Sequence, residues 1–160
     1  MKHLKSTYFL LFSSALVISS CVKEKSFPTQ PVIEFISYDK HGTDSADCII
    51  SFKDGDGDIG IMEGDTISPD DLVMKYLFKG SDGVFRPFYS AALNDTLYYG
   101  YRISDITPEG QYKALEGEIK AKLRSAPLYF PTHTAVKFEI RLRDRAGNWS
   151  NMVTTNEINP

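Results

Sequence analysis

The chain has 160 residues, 42 % hydrophobic and 24 % charged, enough for one domain with a real core. With 18 basic against 21 acidic residues, its formal net charge of −3 argues against a nucleic-acid partner, which would call for a basic face. Two cysteines, three scattered histidines and no nucleophile–base motif or phosphate-binding loop give no basis for expecting an enzyme.

Lys2, His3 and Lys5 make a positive N-terminal region, and Tyr8 to Ile18 is an apolar stretch too short to span a bilayer. It closes on Ile18-Ser19-Ser20-Cys21. A large aliphatic residue, two small residues and then cysteine resembles the lipobox of bacterial lipoproteins. That resemblance implies cleavage before Cys21 and acylation of its sulfur and new amino group. Residues 1–20 are therefore expected to be a signal peptide, and Cys21 the lipid anchor in the outer membrane. Their removal leaves 16 basic and 21 acidic residues, a balance of −5. Val22 to Pro31 is polar and proline-bounded, so residues 21–31 are expected to tether a domain spanning 32–160. Lys23-Glu24 is similar to the short Lys-acidic signals that send such lipoproteins to the cell surface. Lys25 interrupts it, which leaves the face of the membrane open.

From Val32 onward the pattern is one of strands and turns. Val32 to Tyr38 is a first strand, and Cys48, Ile50 and Phe52 alternate inward along a second. With Cys21 committed to lipid, Cys48 is expected to be a buried, inert thiol. Leu72 to Phe78 reads as a more apolar strand, and Gly80-Ser81-Asp82-Gly83 turns it into a hairpin with Val84-Phe85. Tyr98 to Ile103 is an aromatic strand, followed by a loop over Ser104 to Gln111. Glu118 to Arg124 has Ile119, Ala121 and Leu123 inward. Val136 to Arg143 alternates strictly, with Val136, Phe138, Ile140 and Leu142 on one face. Met152 to Ile158 supplies a last strand. About seven short strands separated by turns predict an all-β antiparallel sandwich of immunoglobulin or fibronectin type III kind.

Asp54-Gly55-Asp56-Gly57-Asp58-Ile59-Gly60 is the one constellation with chemistry in it. Alternating carboxylates repel one another and glycine disfavours regular structure, so this is no core element. Hard oxygen ligands on a chain able to curl tightly are what calcium requires. The Asp-x-Asp-x-Asp run resembles the start of an EF-hand loop, with Asp65 at its twelfth position, but strand-like flanks and a displaced glycine reject an EF-hand. Strand parity adds a fourth ligand. The inward series Ile50, Phe52, Asp54 and the inward series Ile140, Leu142, Asp144 end at the same pole if the two strands face each other across the core. A structural calcium ion held by Asp54, Asp56, Asp58 and Asp144 is the expectation. The plain alternative is a metal-free turn, since Asp-Gly pairs are common in hairpins.

Phe52-x-Asp54-Gly55-Asp56-Gly57-Asp58-Ile59-Gly60, together with Asp144-Arg145-Ala146-Gly147-Asn148-x-Ser150-Asn151 and Val153-Thr154-Thr155, resembles a group of uncharacterised Bacteroidetes-type lipoproteins. The resemblance implies an immunoglobulin-like fold and an envelope location, and no reaction. In that setting Asp44-Ser45-Ala46, Asp65-Thr66-Ile67 and Asp95-Thr96-Leu97 match an Asp-Ser/Thr-aliphatic pattern of O-glycosylation. Phe85, Phe88, Tyr89 and the cluster Tyr98, Tyr99, Tyr101 are read chiefly as strand aromatics. Trp149, in the turn beside the acidic loop, is the aromatic singled out for ligand contact. The expected function is a non-enzymatic, lipid-anchored envelope module that binds or scaffolds an envelope protein. A glycan-binding accessory of a surface uptake system is the alternative.

Overall fold

The computed structural model describes residues 26–124 and 129–160. The signal peptide, Cys21 and the first half of the tether lie outside the described residues. Among the described residues there is no helix, and the strands are β1 (Val32–Lys40), β2 (Ser45–Asp54), β3 (Leu72–Lys79), β4 (Phe85–Pro87), β5 (Tyr89–Ser90), β6 (Asp95–Thr96), β7 (Tyr98–Tyr101), β8 (Leu115–Arg124), β9 (Val136–Leu142) and β10 (Val153–Thr154).

They form an all-β sandwich of antiparallel sheets. One sheet has the order β1-β2-β8; the other runs β10-β9-β3-β4, with β7 also paired to β3. β4 and β7 share one edge of β3, β7 beside Leu72–Lys75 and β4 beside Leu77–Lys79. Period-2 alternation puts Ala46, Cys48, Ile50 and Phe52 of β2 and Val136, Phe138, Ile140 and Leu142 of β9 inward. They meet in one core with Leu72, Met74 and Tyr76 of β3 and Ala121 and Leu123 of β8. Tyr38 stacks on Phe138 across the two sheets at 5.6 Å between ring centres. Burying each large side chain of this kind stabilises the fold by about 1.5–3 kcal/mol. Cys48 is part of that core, and burial pushes its thiol up to about 12, well out of the reactive range.

The expected last strand, Met152 to Ile158, is shorter than its pattern, for a physical reason. Phe138 N donates to the Thr155 hydroxyl oxygen at 3.1 Å, and Leu142 N to that of Ser150 at 3.0 Å. Side-chain oxygens thus replace ladder carbonyls on both sides of β10, and beyond Thr155, whose N donates to the Phe138 carbonyl at 3.0 Å, the chain rejoins β9 at the Ile158–Val136 bridge. The hairpin β5–β6 was not legible in the sequence; it closes on Asn94, which adopts a left-handed φ of 52°.

The two poles of the sandwich differ. Val32 pairs with Lys53, so the chain enters at the pole where β2 ends. The loops 55–71, 102–114 and 143–149 gather there, because Leu72 pairs with both Tyr101 and Leu142, and Leu115 with Asp54. Ile158 and Asn159 lie at the other pole, where Lys40 Nζ donates to the Asn159 carbonyl at 2.7 Å.

Candidate metal centre

Asp54 continues the inward face of β2 one step past Phe52, and its side chain is 0 % exposed. Asp144 does the same one step past Leu142 in β9 and is also buried. Because the two strands belong to opposite sheets, inward parity aims both carboxylates at one end of the core. Asp58 arrives by a tight turn through Gly57, whose φ is +66°. A Cβ there would stand 2.1 Å from the Lys113 carbonyl oxygen, so the turn closes only with glycine.

Backbone bonds then lock the three segments together. Asp58 N donates to Asp54 Oδ2 at 3.1 Å, and Ala146 N to Asp58 Oδ2 at 3.0 Å. Arg145 N donates to the Asp58 carbonyl at 3.1 Å, beside an antiparallel bridge between Ile59 and Asp144. Asp144 receives Asn148 N at 2.7 Å and Asn148 Nδ2 at 2.8 Å, closing the turn after β9.

One oxygen from each of Asp54, Asp58 and Asp144 lies within 4.8 Å of the others. Oxygens held about 2.3–2.6 Å from one calcium ion can be no more than about 5 Å apart, so the triad fits a shared hard cation. Asp54 Oδ1 and Asp58 Oδ1 are buried and accept no hydrogen bond. A buried carboxylate oxygen without a partner is costly, and a divalent ion is one group that would satisfy both. Burial, more than any neighbour, raises the Asp54 carboxyl above the ordinary carboxylate range, with the charges of Asp56 and Asp58 adding to it. Burial and then the charge of Asp144 raise Asp58 in the same direction.

The fourth expected ligand, Asp56, is exposed and stands outside the converging group, although its charge acts on both Asp54 and Asp58. It follows Gly55 on the outer side of the turn, where the chain faces solvent. Asp65 also stands outside the converging group: its carboxylate accepts Ile67 N and Ser68 N, both at 2.9 Å, and caps a turn.

Two residues that the acidic pattern did not indicate support the site. Arg145 Nη1 donates to the Gly60 carbonyl at 3.0 Å and to Asp105 Oδ1 at 2.7 Å, and Nη2 donates to the Thr107 hydroxyl. One guanidinium thereby ties the acidic loop to the β7–β8 loop. Asp71 is buried at the start of β3; its Oδ1 accepts Ile103 N at 2.9 Å, while Oδ2 has no partner. Burial raises its pKa. It faces a cavity of about 340 Å³ shared with Asp144 and Arg143, and no periodic signal marked it.

Trp149 is half-buried, away from the triad, with the guanidiniums of Arg141 and Arg143 over its ring at 5.3 and 5.9 Å. It lines a cleft of about 590 Å³ with Tyr98, Val73, Met152, Asp70 and Glu139. Phe88, Tyr99 and Tyr101 pack against the core instead, as strand aromatics do. Comparison with profiles of known protein families, with curated proteins and with solved structures returned no match to this chain.

Proposed function

We propose that this chain is a lipid-anchored cell-envelope module, without catalytic activity, whose β-sandwich carries a calcium-stiffened pole and serves a binding or scaffolding role. The observation that carries the metal reading is the convergence of Asp54, Asp58 and Asp144, with two buried oxygens unpartnered. Calcium there would offset the mutual repulsion of the carboxylates and bind β2, the acidic loop and the turn after β9 into one unit. The order β1-β2-β8 opposite β10-β9-β3-β4 supports a fibronectin type III or related immunoglobulin-like arrangement.

Thermal unfolding of residues 22–160 in excess EDTA, then in millimolar calcium, tests this. A ligand at ten times its dissociation constant adds about 1.4 kcal/mol, or about 5 °C for a domain of this size. The rise is expected in wild type and in Asp56→Ala, and absent in Asp144→Asn. No rise at any calcium concentration would reduce the acidic loop to a turn.

A glycan-binding role is favoured by one feature, the cleft in which Tyr98, 45 % exposed, and Trp149 share a wall with Asp70 and Glu139. Trp149 is the only tryptophan, so its fluorescence reports directly on that cleft. A change on titration with soluble oligosaccharides would support the reading; a flat response across a varied panel would remove it.

A further inference from the structure

We infer that the calcium pole is the end of the domain that faces the bilayer, with the loop side chains Met62, Ile67, Ile106 and Tyr112 resting on the lipid surface; this rests on the reading of Cys21 as the lipid anchor. The argument begins with where the tether meets the domain. Gly55 N donates to the Pro28 carbonyl at 2.8 Å, so the tether is already docked beside Asp54 when it reaches Phe27 and Pro28. From Cys21 to Phe27 the chain has six steps, a leash of about 20–22 Å even when fully extended.

Compare that leash with the domain. β2 is ten residues long and runs from one pole to the other, roughly 31 Å. The leash is shorter than the strand, so the domain cannot stand upright with its far pole, that of the β3–β4 turn and the C-terminal residues, on the anchoring membrane. The near pole can rest there, and so can a flank of the sandwich.

The most exposed apolar side chain favours the near pole, although Ile36, Tyr98 and Met152, on or beside the sheets, are exposed as well, at 46, 45 and 53 %. Ile67 is 94 % exposed, Tyr112 63 % and Met62 59 %, all on loops of the near pole, and Ile106 joins them. These are costly side chains to leave in water without a partner, and a lipid surface is the partner the leash supplies. The loops that carry them are fastened to each other, with Ile61 N donating to the Ile103 carbonyl at 2.7 Å and Asp105 N to the Ile61 carbonyl at 3.1 Å. Five acids of this pole are engaged within it: Asp65 caps a turn, Asp105 pairs with Arg145, and Asp54, Asp58 and Asp144 converge on one another, while Asp56, Glu63, Asp70 and Glu109 stay exposed beside the apolar side chains.

The test uses the full chain, purified with its native lipidation from a bacterial host and reconstituted into vesicles containing a nitroxide-headgroup lipid, with calcium present. In a Cys48→Ala background, Ile67→Cys, Val84→Cys and Ile36→Cys each carry one bimane label; acylation leaves no free thiol at Cys21. The three sites sit on the near pole, the far-pole turn and the outer surface of β1. Mass spectrometry of the same samples reports acylation of Cys21 and any glycan on Thr66. Quenching at 67, several-fold above that at 84 and 36, is the expected result. Equal quenching at 36 and 67 would mean a flank lies on the membrane and would overturn the proposal, as would no quenching at 67. A glycan on Thr66 would exclude contact at Ile67 and overturn it too. An unacylated Cys21 would remove the anchor reading itself, and this inference with it. Because the three positions are exposed, melting temperatures close to that of the Cys48→Ala parent are expected for every labelled variant.

Discussion

The amide of Gly55, the residue after Asp54 of the acidic triad, donates to the carbonyl of Pro28 at 2.8 Å. A Cβ at Gly55 would stand 2.3 Å from the Phe27 carbonyl oxygen and 2.8 Å from that of Pro28. The tether and the acidic loop are thus in contact through a position that has no room for a side chain.

Gly55→Ala is therefore expected to push the tether off the loop and to lower stability by about 1–3 kcal/mol, the usual cost of overpacking. Urea unfolding measures the loss, and limited proteolysis shows whether cleavage near Phe27 speeds up. An unchanged midpoint with an unchanged cleavage rate would mean the contact does not hold the tether.

Asp54→Asn should act with opposite sign in the two metal states. In EDTA it removes one charge from a crowded, buried group while keeping an oxygen for Asp58 N; with the Asp54 carboxyl pushed up to about 6, a gain on the order of 1–3 kcal/mol is expected. In calcium the same variant should gain nothing from the metal and fall below wild type. Paired melts in both conditions check it; a variant less stable than wild type in EDTA would show that repulsion does not dominate the empty loop.

Arg145→Ala leaves the three carboxylates in place but unties Asp105 and Thr107 of the β7–β8 loop from Gly60 of the acidic loop. Loss of a supporting contact around a metal site commonly weakens affinity by about tenfold or more. Calorimetric calcium titration should show that drop with one ion still bound per chain. Unchanged affinity would mean the β7–β8 loop plays no part in organising the ligands.

His133 gives a pH dependence whose sign can be worked out. It is buried among Tyr76, Phe78, Phe88 and Phe130, with its Nδ1 3.0 Å from the Tyr76 hydroxyl oxygen, and burial lowers its pKa below 6.5. Below pH 6.5 the unfolded chain takes up a proton that the folded chain resists, so this group's contribution to stability falls as pH falls. Asp54, Asp58 and Asp71, whose pKa values are raised, act in the opposite sense, because the folded state binds their protons more tightly. The clean measurement is the stability difference between wild type and His133→Phe in saturating calcium. That difference should shift in favour of His133→Phe as the pH drops from 7.5 to 5.5, and a pH-independent difference would refute it.

Much of the scaffold was legible in the chain because period 2 is a local property. Alternation along Val136 to Leu142 and from Ala46 to Phe52 marks an inward face whatever lies opposite, and it placed Asp54 and Asp144 on that face. The all-β class and the burial of Cys48 followed from the same pattern and the spacing of the turns.

What the chain alone could not decide belongs to loops and to pairings between distant segments, where no period operates. Gly57 turns Asp58 into the triad and leaves Asp56 in solvent, a choice set by the Lys113 carbonyl from another loop. Arg145 acquires its role only because the β7–β8 loop folds over the acidic one, and Asp71 is buried only because Arg143 and Ile103 cover the start of β3. Sequence determined which side chains face inward, through the two-residue repeat of the extended backbone. Tertiary structure decided which of them meet, because that depends on how two sheets stack and where their loops cross.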